Sequence, residues 1–397
     1  MRVLFTCVVG HGHFNPLVPL ARAFQAAGHI VAFATDPRFV EHVRGVGFDA
    51  FSAGLDHPEA MRRFVELHPE FATTPPWEQM RHVVPGLFGG VRVEPMLLDL
   101  ERHIRTWKPD LLIHDSAEMA GGIAAEGAGI PHVEHSFGVL RPRMIRQLAT
   151  EAIETVCQRL SVRNPGVGGL HGEPYLDVCP PGIQRAEIVD LERVQTLRPM
   201  GFDDAPGVAV PTWLGTLPDR PTVYVTLGTA FNENAAVFRT ILNGLADDDL
   251  NVIVTIGPRG DLASLGPPPA NVHIEQFIPQ SRVLPVCSAF ISHGSSGALL
   301  GAINAAVPIL AIPQGADQFL NANVIVERGM GLRLLPTELT SEGVRDATRS
   351  LIRDRGFGER VRALRPAIDA MPSPADVVPI LERLVRTGTF KPVASSG

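Results

Sequence analysis

Apolar positions along the 397-residue chain fall into short unbroken runs, separated by stretches in which they recur every three or four residues. Runs of that length read as strands buried on both faces, and the 3.6-residue periodicity reads as helices packed on them. Residues 3–9 form the first run, and 16–27 follow as a helix with Pro16 in its first turn and Gly28 at its C-terminal end. The next run covers 30–35, and a short helix starts at Asp36. This is a β-α-β unit, hence a parallel sheet. Periodicity weakens over 55–95, which reads as a variable insertion, before Leu111–Asp115 restores a strand followed by a helix to Glu126.

Pro/Gly-rich stretches at 164–182 and 198–218 separate this half from a second array. There the runs are 222–227, 251–256, 272–277, 289–292 and 309–312, with helices over 235–245, after Gly294 and from Asp317. Two doubly wound parallel sheets in one chain predict two Rossmann-like α/β domains facing a cleft, because open α/β sheets hold ligands at the carboxyl ends of their strands. An amphipathic helix over 374–387 and a frayed tail over 388–397 complete the reading.

With 45% apolar and 19% charged residues, the chain can bury large cores, and disordered, fibrous and coiled-coil classes are excluded. A formal charge of −7 argues against nucleic acid as a partner, and no apolar run approaches the ~20 residues of a membrane span. Of the 35 cationic residues only Lys108 and Lys391 are lysine, a bias that suggests an actinobacterial coding sequence. Cys7, Cys157, Cys179 and Cys287 lie far apart with no C-x-x-C pair, which fits the cytoplasm and offers no metal or disulfide scaffold.

Two turns carry chemistry. In the first, Gly10-His11-Gly12-His13 follows the opening strand, a half-match to a dinucleotide fingerprint with Asn15 in place of the third glycine. His13, at the carboxyl edge of the sheet beside a helix N-terminus, suits a neutral general base, and such a base needs a carboxylate to orient it. Asp115 ends its strand on the same edge and is the candidate partner, with Asp36 and Glu118 as weaker ones. In the second, 290–297 is a strand running into His293-Gly294-Ser295-Ser296-Gly297, which aims backbone amides and a helix dipole at one point, as phosphate binding requires. Close helix–strand packing would want the same small residues. Thr226-Leu227-Gly228-Thr229 is a similar turn in the same array, and two such turns favour a diphosphate. No Gly-Lys-Ser/Thr exists to serve a triphosphate, and Asp247-Asp248-Asp249 reads as a solvated helix end rather than a metal site.

Taken together, Gly12-His13-x-x-Pro16, V-Y-V-T-L-G-T at 223–229, F-I-P-Q at 277–280, S-H-G-S-S-G at 292–297 and A-D-Q-x-x-N-A at 316–322 resemble glycosyltransferase family 1, more narrowly its actinobacterial natural-product branch. The resemblance spans nearly the whole chain. It implies a GT-B fold: an acceptor-binding domain over 1–205, a linker over 206–216, a nucleotide-sugar donor domain over 217–373, and a segment 374–397 whose helix crosses back to the first domain. It further implies His13 as base with Asp115 as its partner acid. The diphosphate would lie at His293, Gly294, Ser295, Ser296 and Gly297, with the Thr229 hydroxyl near its distal phosphate. Phe277 would stack on the base, Ile278 would contact the base edge through its backbone, and Asp317 and Gln318 would hold sugar hydroxyls. The family's usual H-G-G-x-G-T-x-x-E-A is altered here: Ser295 replaces the second glycine, Ala298 the threonine, and Gly301 the acid associated with ribose hydroxyls.

The expected reaction is inverting and metal-independent, without a cofactor. A hexose moves from a dTDP or UDP donor to a hydroxyl of a large apolar acceptor such as a polyketide or antibiotic aglycone. Residues 55–95, with Phe64, Phe71, Trp77, Leu87 and Phe88, and residues 137–179 would wall the acceptor pocket or close the domain's own core. A nucleotide-sugar 2-epimerase is the alternative on the same fold, and a nicotinamide-dependent reductase is disfavoured by the missing third glycine. Small-molecule donor and acceptor are the expected partners, with neither nucleic acid nor membrane, and pairing of the chain into a homodimer is left open.

Overall fold

Short β-branched and aromatic runs, buried on both faces, build two parallel sheets in the computed structural model, which describes residues 1–166, 174–202, 210–229, 234–257 and 260–393. The chain divides into two units, Met1–Phe202 with Ala367–Gly397, and Asp203–Pro366. In the first, β1 (Arg2–Thr6), β2 (Ile30–Thr35), β3 (Asp49–Ser52), β4 (Leu111–Asp115), β5 (His132–His135), β6 (Tyr175–Asp177) and β7 (Val194–Thr196) lie in the order β3-β2-β1-β4-β5-β6-β7. The order reverses between β1 and β4, whose register sets Thr6 beside His114. Phe5 stacks on Phe33 at 5.0 Å and meets Phe24 edge-on at 6.3 Å, clamping β1 and β2 to the helix below.

The single helix expected over 16–27 is two helices. Gly10, at φ 127°, reverses the chain directly after β1, so a one-turn helix starts at once over His11–Phe14, and the longer helix is Val18–Ala26. Pro19, not Pro16, occupies its first turn. The insertion at 55–95 is ordered: Asp56 caps the helix His57–Leu67 by accepting from the Glu59 amide at 2.9 Å, and Val83–Val91 forms a π-helix. Gly86 permits this wide coil, since a Cβ there would lie 2.8 Å from the Phe64 ring and 2.7 Å from His68.

The helix Pro374–Thr387 belongs to the first unit, its N-terminus closed by reciprocal bonds between Ser373 and Asp376 and its Glu382 2.9 Å from His29 Nε2. The tail expected to fray is held as far as Val393, whose amide donates to Gln195 at 2.7 Å, while residues 394–397 lie outside the described residues. Of the expected linker, 206–209 also lie outside them, and Thr212–Thr216 is a turn of 3₁₀-helix. No helix among the described residues is long and apolar enough to cross a membrane.

In the second unit β8 (Thr222–Thr226), β9 (Asn251–Thr255), β10 (Val272–Glu275), β11 (Ala289–Ser292), β12 (Ile309–Ala311) and β13 (Gly331–Arg333) take the order β10-β9-β8-β11-β12-β13. Here the reversal falls between β8 and β11, with Thr226 beside Ser292. The run Asp247-Asp248-Asp249 ends a helix, with Asp248 paired to Arg349 at 2.6 Å.

Candidate active site

Each sheet brings its chemical turns to the point where strand order reverses, the place where two neighbouring loops part and leave room for a ligand. In the first unit the loop after β1 carries His13 and the end of β4 carries Asp115. His13 Nδ1 lies 3.0 Å from Asp115 Oδ2 and 3.2 Å from Oδ1. Asp115 is buried, while the His13 side chain keeps 22% of its surface exposed, so the base is reachable and its partner is not.

Asp115 is held as an anion by three donors. Besides His13 it accepts from the Ala117 amide at 3.0 Å and the Val8 amide at 3.3 Å. Burial alone would push its carboxyl up, but His13 and the two amides outweigh burial and hold it below the usual carboxylate range. An ionised carboxylate only accepts, so His13 donates through Nδ1–H, and its lone pair resides on Nε2. His13 is the third residue of the one-turn helix His11–Phe14, so the helix N-terminus lies in the same turn as the imidazole.

Aromatic rings flank the imidazole: Phe137 edge-on at 4.8 Å and Phe88 at 6.3 Å. Phe88 and Phe137 come one from each of the two segments expected to wall the acceptor pocket. Phe64 and Leu87 are buried in a cluster of their own with Phe71 packed against it, and Trp77 is exposed. The weaker candidate Glu118 is buried, accepts from Thr6 Oγ1 and binds the Ala120 and Gly121 amides at 2.9 and 3.1 Å, a helix-starting role. Beside β4, His135 is buried with Nδ1 2.6 Å from the Ser136 carbonyl, and burial lowers its pKa to about 4. Nothing in the hydrophobic pattern marked it, since 132–135 does not read as a strand.

In the second unit Gly294, at φ 81°, turns the chain from β11 into the helix Ser296–Ala305, and Ser295 caps it by accepting from the Ala298 amide at 3.4 Å. The Ser296 amide and hydroxyl are already taken by Asp317 Oδ2, at 3.1 and 2.6 Å, and Asn321 Nδ2 reaches the same oxygen at 2.9 Å. Asp317 thus supplies the negative charge at this N-terminus, and the Gly294 amide donates to Ser292 Oγ at 3.1 Å, so Ser295 and Gly297 are the expected site residues whose amides neither engages. Gln318 spends its carbonyl on the Gln314 and Gly315 amides, at 2.7 and 3.1 Å, leaving Nε2 as the end that could meet a sugar hydroxyl.

His293 is buried and burial lowers its pKa to about 4, against weaker opposing effects of Asp317 and the Thr226 backbone. It is neutral near pH 7 and offers a hydrogen bond rather than a positive charge. The Cε1 and Nε2 atoms of its ring pack against Gly228, where a Cβ would stand 2.6 and 2.7 Å from them. The Gly228 amide donates to Thr226 Oγ1 at 3.2 Å, and the Thr229 hydroxyl makes no hydrogen bond among the described residues. Phe277 is 39% exposed, as a stacking platform must be, and Ile278 is buried. Gln280 occupies the space beside Gly301 in which a longer side chain would sit. Among the described residues no three His, Cys, Asp or Glu side chains gather as a metal site.

Two doubly wound sheets of this kind, with an imidazole–carboxylate pair at one reversal and a glycine- and serine-lined helix start at the other, define a glycosyltransferase of GT-B fold. Residues 22–228 match the N-terminal and 239–384 the C-terminal domain of the Erythromycin biosynthesis protein CIII-like family. The chain is 35% identical to L-demethylnoviosyl transferase of Streptomyces niveus, over 84% of this chain and 85% of the relative. It is 30% identical to 10-deoxymethynolide desosaminyltransferase of Streptomyces venezuelae, over 97% of each. Among solved structures it is similar to the glycosyltransferase VinC in complex with dTDP, with TM-score 0.79 and 30% identity over 97% of this chain and 100% of that one. It is likewise similar to SnogD from Streptomyces nogalater, with TM-score 0.76 and 28% identity over 97% and 99%. The chain therefore belongs to the Erythromycin biosynthesis protein CIII-like family and is a nucleotide-sugar-dependent glycosyltransferase of the actinobacterial natural-product branch.

Proposed function

We propose that the chain transfers a hexose from a nucleoside diphosphate to a hydroxyl of a polyketide or antibiotic aglycone, with inversion and without a metal ion. The first unit takes the acceptor and the second the donor. The observation that carries this reading is the contact of His13 Nδ1 with the buried Asp115 carboxylate at 3.0 Å. It fixes the imidazole as an Nδ1–H tautomer, so Nε2 takes the proton of the acceptor hydroxyl as its oxygen attacks the anomeric carbon, and Asp115 stabilises the resulting imidazolium. The C–O bond to the diphosphate breaks on the opposite face. Its negative charge meets the amides of Ser295 and Gly297, the Thr229 hydroxyl and a neutral His293. Phe277, Ile278, Asp317 and Gln318 position the nucleoside and sugar.

The aromatic surroundings of His13 suit an apolar acceptor. Thymidine is the favoured nucleoside, since VinC is a similar protein described with dTDP. The reaction is placed in the cytoplasm, where the free, buried Cys7, Cys157 and Cys179 stay reduced. The test incubates the protein with dTDP- or UDP-hexoses and a panel of macrolactone and anthracyclinone aglycones, with and without EDTA, and reads product by mass and anomeric configuration by NMR. An inverted glycoside formed equally with EDTA is expected. A retained configuration, dependence on added metal, or a new nucleotide sugar from donor alone, as the epimerase alternative requires, would overturn it.

A further inference from the structure

A half-exposed ring serves as a stacking platform only while its backbone is held still, and Phe277 directly follows β10, the edge strand of its sheet. The chain leaving β9 holds one side of this exit. The Ile256 and Gly257 amides donate to the Glu275 and Gln276 carbonyls at 3.2 and 2.9 Å, and Gln276 Nε2 donates to the Gly257 and Gly260 carbonyls. A second hold comes from 62 residues earlier in the chain. The Trp213 indole lies on the His273 imidazole with ring centres 4.4 Å apart and planes 13° from parallel, and its Nε1–H donates to Glu275 Oε1 at 3.1 Å. His273 and Glu275 are alternate residues of β10 and share a face, so one side chain grips both. The indole is itself anchored in the 3₁₀ turn Thr212–Thr216. There the Leu214 amide donates to the Pro211 carbonyl and the Thr216 hydroxyl to the Trp213 carbonyl, each at 3.1 Å.

A ring stacked on a single neighbour can still slide across it. A hydrogen bond to a second residue of the same strand removes that freedom, because it fixes direction as well as distance. The two contacts therefore pin β10 at the residues four and two positions before Phe277. We infer that Trp213 is a positioning residue for the donor's nucleoside: by gripping His273 and Glu275 it sets the exit of β10, and with it the Phe277 ring. It acts through Phe277 and not on the ligand. This rests on the reading of Phe277 as the surface on which the base stacks. Stacking adds its full affinity only when the platform is already in place, so loosening β10 weakens binding of the nucleoside and leaves the diphosphate turn at 294–297 as it was.

The test measures Kd by calorimetry for dTDP and for inorganic pyrophosphate in the wild type, Trp213→Ala, Phe277→Ala and the double variant. Trp213→Ala should weaken dTDP binding by about 5- to 20-fold while pyrophosphate binding stays within about twofold of wild type. In the double variant dTDP binding should fall no further than in Phe277→Ala, because the platform that Trp213 positions is gone. Trp213→Phe keeps a ring on His273 and loses the N–H donor. It should show a smaller loss of the same kind, again on dTDP alone, and it carries the test should Trp213→Ala fail to fold. Unchanged dTDP affinity overturns the inference. Equal weakening of dTDP and pyrophosphate also overturns it, by showing a general loosening of the unit, and additive losses in the double variant do so by showing that Trp213 acts elsewhere than through Phe277. Unchanged dTDP binding in Phe277→Ala is a different failure, which removes the platform reading itself and the inference with it.

Discussion

Asp115→Asn perturbs the pair while leaving its shape almost unchanged. The carboxylate takes three donors on two oxygens: Oδ1 the Ala117 amide at 3.0 Å and His13 at 3.2 Å, Oδ2 the Val8 amide at 3.3 Å and His13 at 3.0 Å. An asparagine has one accepting atom, so its NH₂ group must face a backbone amide or the imidazole N–H. One buried donor is then left unmet, at about 1–3 kcal/mol of stability. If instead the imidazole turns its tautomer to accept from the new NH₂, the proton moves to Nε2 and the base is lost. The positive charge that builds on the ring during transfer also loses its counter-ion. We expect kcat/KM to fall by about 10² to 10⁴ while urea unfolding shows a protein still folded at assay temperature. Below neutral pH the wild type should also lose a contribution that the variant lacks. The folded pKa of Asp115 is depressed, so its stabilisation is complete above the ordinary carboxylate range and disappears as pH falls through the folded value. Turnover within about threefold of wild type, in a variant that folds, would refute the reasoning.

Three further outcomes are expected. Gly228→Ala sets a Cβ 2.6 Å from His293 Cε1 at a φ of 75°, and should cost about 1–3 kcal/mol in thermal unfolding and weaken dTDP binding by calorimetry; a wild-type result in both would disprove the close packing. Burial holds His135 and His293 near pKa 4, so an unfolded chain titrating near 6.5 binds more protons between those values. Stability should therefore be full above about pH 6.5 and decline toward pH 4, by up to about 3 kcal/mol for each histidine, and urea midpoints equal at pH 7 and 5 would contradict it. Ser295→Ala removes the cap of the helix Ser296–Ala305 and should cost about 1 kcal/mol and, by loosening the turn that presents the Ser295 and Gly297 amides, raise donor KM, whereas an unchanged KM would show that the cap does not hold those amides in place for the donor.

Strands that open on an unbroken apolar run announced themselves: β2, β4 and β11 lie where their runs of Val, Ile, Leu, Ala and Phe do. Strand β5 did not, because His132, Glu134 and His135 interrupt the hydrophobic pattern. Strands β6 and β7 have three residues each, too few for an alternation to register. The contact of His13 with Asp115 was legible because His13 follows β1 and Asp115 ends β4 on the same sheet edge, and edge position follows from strand direction alone. The early helix at His11–Phe14 was not, since it depends on the φ of Gly10, for which many conformations are open. Nor could the sequence show that Asp317 turns onto Ser296, a side-chain choice made between two loops 21 residues apart. The π-helix likewise depends on how Gly86 meets Phe64 and His68, a packing event rather than a local preference.

The most direct test of the central claim is the single-turnover rate of sugar transfer by His13→Ala, measured beside its affinity for dTDP. Because His13 and the donor turn belong to different units, loss of the base should leave dTDP affinity within about twofold of wild type while the transfer rate drops by about 10² to 10⁴. A transfer rate close to that of the wild type, with the inverted glycoside still formed, would contradict the assignment of His13 as the group that takes the acceptor proton.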